Sequence, residues 1–153
     1  MENLKFVYVT YIETTTRKVW EALTNGDLTE QYFFGSRVES EWKEGSRITY
    51  SRGSKVTDWG EIIKCDPQKE LSFTWHNKWD EEERENPTVA TFTLKEINGT
   101  VRLTLRHEHL MEADIVEEED TFVGYNNGWP AILSNLKTLL ETGRTLPSVI
   151  IEF

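Results

Sequence analysis

The large apolar residues near the end of the chain recur in steps of three and four positions between residues 122 and 143. That spacing places them on one broad face of a helix. The residues on this face are Phe122, Tyr125, Trp129, Ile132, Leu133, Leu136, Leu139 and Leu140. The pattern predicts one long helix that buries this face and ends at Gly143, a typical C-cap. Pro130 lacks the N–H of an interior turn, so the regular helix either restarts near Trp129 or kinks there.

The start of the chain has a different pattern. Leu4–Glu13 is rich in β-branched and aromatic residues, which is typical of a strand. Thr14–Thr16 then offers hydroxyl caps for a helix through Val19–Leu23. After an Asn-Gly break, Asp27 is placed to cap a second short helix, Leu28–Phe34. A strand followed by two short helices is therefore predicted.

Strand-like segments fill the middle of the chain, separated by short turn signals. They are Arg37–Trp42, Arg47–Ser51, Trp59–Cys65, Glu70–Lys78, Thr88–Ile97 and Thr100–Leu110. Asn98-Gly99, between the last two, is the clearest hairpin signal. Because each break is short, we expect an antiparallel meander.

Alternation within the last three strands separates an inward, largely apolar face from an outward one. The inward residues are Leu71, Phe73, Trp75, Asn77 and Trp79; Ala90, Phe92 and Leu94; and Val101, Leu103, Leu105, His107 and His109. His76 falls on the outward face of its strand. These inward faces predict a concave surface for the long helix to cover, which is an α+β arrangement.

The composition is globular, with 37% hydrophobic and 12% aromatic residues. The formal net charge of −10 argues against binding to nucleic acid, whose phosphates need clustered Lys and Arg, and against an anionic membrane surface. Six Trp residues must either fill a core or line a pocket. The acidic runs Asp80–Glu85 and Glu117–Asp120 are expected to be solvated.

Cys65 is the single cysteine, so neither an intramolecular disulfide nor a cluster of metal-binding thiols is expected. The first residues do not resemble a signal peptide, and no apolar run approaches the roughly 20 residues needed to cross a bilayer. We therefore expect one domain over residues 1–153, located in the cytoplasm and not inserted in a membrane.

Several segments, taken in order, resemble the START-like superfamily (SRPBCC, or Bet v 1-like). The segments are Val19–Thr24, Phe33–Gly35, Gly60–Ile62, Asp66-Pro67, Leu71–Trp75, Thr100–Leu105 and Gly128–Leu140. The branch is similar to the C-terminal domain of the activator of heat-shock protein 90 ATPase. The resemblance implies a helix-grip fold, in which a curved antiparallel sheet of about seven strands wraps a long C-terminal helix. It also implies an apolar cavity between helix and sheet, and a link to the stress response.

The candidate ligand-binding residues are those expected to surround such a cavity. They are Phe33, Phe34, Trp59, Phe73, Trp75, Asn77, Trp79, Phe92, Leu105, His107, His109, Tyr125, Trp129 and Leu133. The aromatic residues either line a pocket or fill the core, and the pattern alone leaves both open. His107, His109 and Asn77 are the candidate polar anchors. Ligand access is expected at Gln31–Gly35, at Lys78–Pro87 and at the start of the last helix.

The functional hypothesis is binding of a small hydrophobic ligand, such as a lipid, a polyketide or a flavonoid-like compound. The alternative is a co-chaperone-like domain that binds a heat-shock ATPase. A third hypothesis, a cyclase or dehydratase with His107 or His109 as acid–base, rests on the resemblance to superfamily enzymes. No motif for nucleophilic catalysis, for phosphate binding or for a metal site is present, so we assign no catalytic residues, cofactor or metal.

Overall fold

The computed structural model describes residues 4–118 and 120–146. Its strands are β1 (Leu4–Ile12), β2 (Arg37–Ser40), β3 (Arg47–Arg52), β4 (Lys55–Asp66), β5 (Glu70–Asn77), β6 (Thr88–Ile97) and β7 (Thr100–Leu110). Its helices are α1 (Thr16–Thr24), α2 (Gly26–Tyr32) and α3 (Tyr125–Thr142), with a short 3₁₀ helix at Glu112–Asp114. Positions 1–3, where no signal peptide is expected, and Glu119 of the second acidic run lie outside the described residues.

The strands form one curved antiparallel sheet of seven, in the order β1-β7-β6-β5-β4-β3-β2. Consecutive strands from β2 to β7 are neighbours, as short connections require. The β6–β7 hairpin turns at Asn98 and Gly99, which both have positive φ (48° and 82°), the conformation that a two-residue turn of type I′ needs. The predicted meander and the α+β helix-grip class are confirmed.

Helix α3 packs on the concave face of this sheet through the predicted stripe. Its buried residues are Trp129, Ile132, Leu133, Asn135, Leu136 and Leu139. The helix begins at Tyr125 and runs through Pro130, so a restart near Trp129 is wrong. Gly143, with φ 78°, caps the C-terminus by donating its N–H to the Leu139 carbonyl at 2.8 Å, as predicted. Phe122 precedes the helix and is exposed.

The two short helices are joined by Asn25, which lies at the end of α1 and at the start of α2. Its Oδ1 accepts a hydrogen bond from the Asp27 N–H at 2.9 Å. The predicted cap at Asp27 is therefore wrong, because Asp27 lies in the first turn and Asn25 supplies the capping oxygen. Thr15 caps α1 by accepting from the Lys18 N–H.

A β-bulge near the end of β7 changes which residues face inward. Leu110 pairs with Leu4, but His107 pairs with Phe6, so β7 carries one extra residue over this stretch. His109 has φ 64° and is exposed, whereas His107 and Leu110 are fully buried. The prediction that His107 and His109 share the inward face is wrong, because the bulge resets the alternation that strand periodicity assumes.

Candidate functional site

A cavity of about 530 Å³ opens between the first turns of α3, the β5–β6 connection and the ends of β3, β4 and β5. Its apolar and aromatic lining residues are Phe33, Phe34, Trp75, Trp79, Ala113, Phe122, Val123, Tyr125, Trp129 and Ile132. Its polar and charged lining residues are Arg52, Asp58, Asn77, Asp80, Glu81, Glu82 and Asp114. Gly124 and Gly128 complete the lining.

Three buried rings form a contiguous aromatic wall of the cavity. The centroids of Trp75 and Trp129 are 5.3 Å apart, with an interplanar angle of 64°. Phe33 meets Trp129 edge-on at 5.7 Å and lies 6.1 Å from Trp75. Edge-to-face and stacked pairs of this kind are favourable arrangements for aromatic rings, so this wall is preformed by the core.

His107 holds the Trp129 ring in place through a buried chain of hydrogen bonds. The Trp129 Nε1–H donates to His107 Nδ1 at 2.9 Å. Since Nδ1 accepts, the proton of the neutral ring is on Nε2, which donates to Thr88 Oγ1 at 2.9 Å; Thr88 in turn donates to the Trp75 carbonyl. Burial lowers the pKa of His107 to about 3, so the ring is neutral at physiological pH. Both ring nitrogens are thereby occupied.

Trp75 carries an unsatisfied donor at this wall. The residue is 6% exposed, and among the described residues its Nε1–H finds no hydrogen-bond acceptor. Leaving a buried N–H unpaired costs about 1–3 kcal/mol. The close packing of this ring therefore carries a cost in stability.

Asp58 is a nearly buried carboxyl group in the cavity wall. It lies on β4, is 9% exposed, and accepts a hydrogen bond from Thr57 Oγ1 at 2.8 Å through Oδ2. Burial raises the pKa of Asp58 to about 6, against the opposing effects of the Thr57 hydrogen bond and the charge of Arg52. Arg52 itself donates from Nε to Ser36 Oγ at 3.3 Å, and its guanidinium lies 5.9 Å from the Trp79 ring centroid.

Sequence reasoning missed Asp58 because the predicted strand began at Trp59, one residue too late. The observed β4 begins at Lys55, and Asp58, Gly60 and Ile62 alternate as its buried positions. A carboxylate at an alternate position of an otherwise buried strand face is the signal that would have identified it.

Asn77 and Tyr125 connect β5 to the start of α3. Asn77 Nδ2 donates to the Tyr125 hydroxyl at 3.1 Å, and its Oδ1 accepts from the Trp79 N–H at 3.0 Å. Both groups line the cavity. The amide of Asn77 is therefore engaged within the protein, which ties the rim to the sheet.

An ion-pair cluster fastens the β5–β6 connection to the 3₁₀ helix. The Arg84 guanidinium contacts Asp80 at 2.8 Å and Asp114 at 2.7 Å, with the side chains of Arg84 and Asp114 only 9% and 8% exposed. Hydrogen bonding to Asp114 is the largest of the effects that raise the pKa of Arg84. The expectation that Asp80–Glu85 is all solvated surface is wrong at Arg84, because its charge is taken up by these two carboxylates.

The family model described as Activator of Hsp90 ATPase homolog 1-like protein matches residues 13–141. This chain belongs to that family. The observed architecture agrees with this membership, and the predicted resemblance to the activator branch is confirmed. No curated protein matches the chain.

Solved structures with the same fold include proteins from bacteria and from a malaria parasite. ChR145 from Cytophaga hutchinsonii is 28% identical with a TM-score of 0.69, over 92% of this chain and 96% of that one. PFC0360w, an HSP90 activator from Plasmodium falciparum, is 18% identical with a TM-score of 0.70, over 90% and 96%. CalU16 from Micromonospora echinospora is 18% identical with a TM-score of 0.69, over 91% and 77%.

In this family member, the candidate residues separate into three groups. Those that line the cavity are Phe33, Phe34, Trp75, Asn77, Trp79, Tyr125 and Trp129. Those buried in the core behind it are Phe73, Phe92, Leu105, His107 and Leu133. Trp59 and His109 lie elsewhere: Trp59 stacks on His76 at 5.9 Å on the outward face of the sheet, and His109 is exposed. A ligand-binding role for any of them stays a prediction.

No helix within residues 4–118 and 120–146 combines the length and apolar character that crossing a membrane requires. Across the same described residues, no three His, Cys, Asp or Glu side chains converge in a group that could hold a metal ion.

Proposed function

We propose that this protein binds a small hydrophobic ligand of the lipid, polyketide or flavonoid-like type in the cavity between the sheet and α3. The observation that carries the proposal is the preformed aromatic wall of a cavity of about 530 Å³. That volume falls within the roughly 300–1,000 Å³ typical of small-molecule sites, which are mostly apolar with a few polar groups. The proposal treats residues 1–153 as one domain acting in the cytoplasm.

Burial of apolar ligand surface supplies the affinity. A ligand that buries about 300 Å² of apolar surface gains roughly 7 kcal/mol, at about 25 cal/mol per Å². Part of this is offset by the motion lost on association. The three wall rings are already packed against one another, so they need little reordering to receive an aromatic body.

Native mass spectrometry of gently purified protein, followed by thermal shift against fatty acids, sterols, flavonoids and polyketides, tests the proposal. A bound mass, or a stabilisation that saturates with one ligand class, is expected because a ligand that binds only the folded state raises its stability. A clean apo mass with no shift across the whole panel would contradict the proposal.

A matched pair of variants assigns any binding to this cavity. Trp79 on the rim and Tyr11 on β1, outside the cavity, are both aromatic and both 50% exposed. Trp79→Ala should weaken ligand binding with little effect on stability, and Tyr11→Ala should leave binding unchanged. Equal loss of binding in both variants would place the ligand elsewhere.

Trp129→Ala and Trp75→Ala should weaken binding further but also destabilise the fold, since both rings are buried.

A co-chaperone-like action on a heat-shock ATPase is the second candidate, favoured by the description of the family to which the chain belongs. It requires a protein-binding surface rather than a ligand. Measuring the ATPase rate of a purified Hsp90 with and without the protein tests it. Stimulation that persists in Trp79→Ala would support a role independent of the cavity, and no stimulation at saturating protein would remove this candidate.

A further inference from the structure

One carboxylate of the cavity wall is only partly satisfied by hydrogen bonds. Asp58 accepts through Oδ2 from Thr57, and no described residue donates a hydrogen bond to its Oδ1. The charge of Arg52, which also lines the cavity, acts on Asp58 by Coulomb attraction. Asp58 is 9% exposed.

The cavity and its mouth are negatively charged. Five carboxylates line it, against the single guanidinium of Arg52. Asp80 and Asp114 are paired with Arg84. Among the described residues, this leaves Asp58 in the wall and the exposed Glu81 and Glu82 at the rim without an ion pair. A site of this charge favours a cation and disfavours an anion.

The fold does not need a carboxylate at position 58. A buried carboxylate held by one hydroxyl and a distant guanidinium is destabilising, and an amide of the same shape would accept the Thr57 hydrogen bond without carrying charge. Groups whose ionisation is disfavoured by burial in a cavity concentrate at functional sites. The position of Asp58 in the cavity wall therefore indicates recognition of a ligand.

We propose that the ligand is a basic amphiphile: an aromatic or polycyclic body packed against Trp75 and Trp129, and a protonated amine held by Asp58. This rests on the proposed function and specifies its ligand class. The surrounding rings contribute through cation–π attraction as well as burial. Fatty acids and other anionic amphiphiles are correspondingly poor ligands.

Three probes with the same body test the amine: 2-(aminomethyl)anthraquinone, 2-(hydroxymethyl)anthraquinone and anthraquinone-2-carboxylate. Isothermal titration calorimetry at pH 7.5 should give an affinity order of amine, alcohol, carboxylate, with the amine favoured over the alcohol by about tenfold or more, as expected for a charged hydrogen bond. Asp58→Asn should bring the amine down to the affinity of the alcohol and leave the alcohol nearly unchanged. Glu61→Gln, on the exposed face of the same strand, removes one charge outside the cavity and should preserve the preference.

The outcomes separate this inference from the proposed function. If the alcohol binds as well as the amine, or if the preference for the amine survives Asp58→Asn, the amine assignment is wrong while the cavity still binds hydrophobic bodies. If none of the three probes binds and the broader panel gives no shift, both the amine assignment and the proposed ligand-binding function are wrong.

Discussion

At the scale of single residues, the burial of Asp58 lowers the stability of the fold. Burial raises its pKa to about 6, above the roughly 3.9 of an unfolded chain. Below about pH 4 the carboxyl is protonated in the folded and the unfolded state, so its burial costs no stability through charge. The penalty grows as the pH rises from about 4 to about 6, because unfolding then releases a proton, and it is complete above about pH 6.

Asp58→Asn should therefore raise the free energy of unfolding at pH 7 by about 1–3 kcal/mol. The gain should shrink as the pH falls and vanish near pH 4, where wild-type Asp58 is already neutral. Urea unfolding of both proteins at pH 7, 5.5 and 4 measures this. A gain that is the same at all three pH values would show that charge burial is not its cause.

His107 has the opposite linkage. Its folded pKa of about 3 lies below the roughly 6.5 of an unfolded histidine. The contribution of His107 to the free energy of unfolding is thus fully present above about pH 6.5. It is lost as the pH falls towards 3, because the unfolded state binds a proton that the folded state does not. Between about pH 4 and 6, the rise in unfolding free energy with pH that His107 causes and the fall that Asp58 causes cancel. The two residues together therefore leave the stability of the wild-type protein nearly independent of pH in this range.

His107→Phe should cost about 2–4 kcal/mol at pH 7.5, since it leaves the Trp129 Nε1–H and the Thr88 hydroxyl without this partner. The difference in unfolding free energy between the wild type and this variant should narrow by up to about 1.4 kcal/mol per pH unit below pH 6.5. The reason is that the variant no longer has a buried ring to protonate on unfolding. Urea unfolding at pH 7.5 and 5 measures both effects. His76→Phe, on the outward face and stacked on Trp59, is the control and should cost much less at pH 7.5.

At the scale of elements, Gly60 allows β4 and β5 to approach closely beside the cavity. A Cβ at this position would lie 1.7 Å from the Thr74 carbonyl oxygen, so the strands could not keep their separation. Gly128 in α3 differs, because a Cβ there would meet only the Phe122 carbonyl oxygen, at 3.5 Å. The same substitution should therefore have opposite effects in the two elements.

Gly60→Ala should destabilise the protein by about 3 kcal/mol or more, through forced separation of the strands. Gly128→Ala should stabilise it by about 0.5–1 kcal/mol, since alanine is the better helix former and the space is open. Thermal and urea unfolding of the two variants checks this. Destabilisation of similar size in both would show that α3 needs its glycine for another reason.

The Arg84 cluster holds two connections together at the cavity mouth. Arg84→Gln should cost about 3 kcal/mol, because it leaves the buried Asp114 carboxylate without its cation. Amide hydrogen exchange should accelerate at Met111, whose N–H is bound by Asp114 at 2.7 Å. Arg17→Gln breaks an exposed pair with Glu21 and should change stability by no more than about 0.5 kcal/mol. Similar small losses of stability in both variants would mean that the buried ion pairs of Arg84 stabilise the protein no more than an exposed pair does.

At the scale of the whole molecule, periodicity predicted the elements well and their mutual placement less well. The three-and-four spacing of α3 and the alternation of β5 to β7 located most of the core, because the side chains of one element are ordered by consecutive residues. The same alternation failed at His109, where a bulge inserts one residue. Trp59, a candidate cavity residue, lies on the outward face of β4. Bulges depend on how the partner strand packs, which local sequence does not report.

The sequence by itself determined the order of strands and helices, the Asn98-Gly99 hairpin and the apolar face of α3, since each follows from residues that are neighbours along the chain. Only the tertiary structure decided which rings line the cavity and which fill the core, that Asp58 is buried in the cavity wall, and that His107 positions Trp129. Those properties depend on strand register and on contacts between residues far apart in sequence. The physical reason is that burial, and with it the pKa of a carboxyl or an imidazole, belongs to the environment of a side chain and not to its position in a motif.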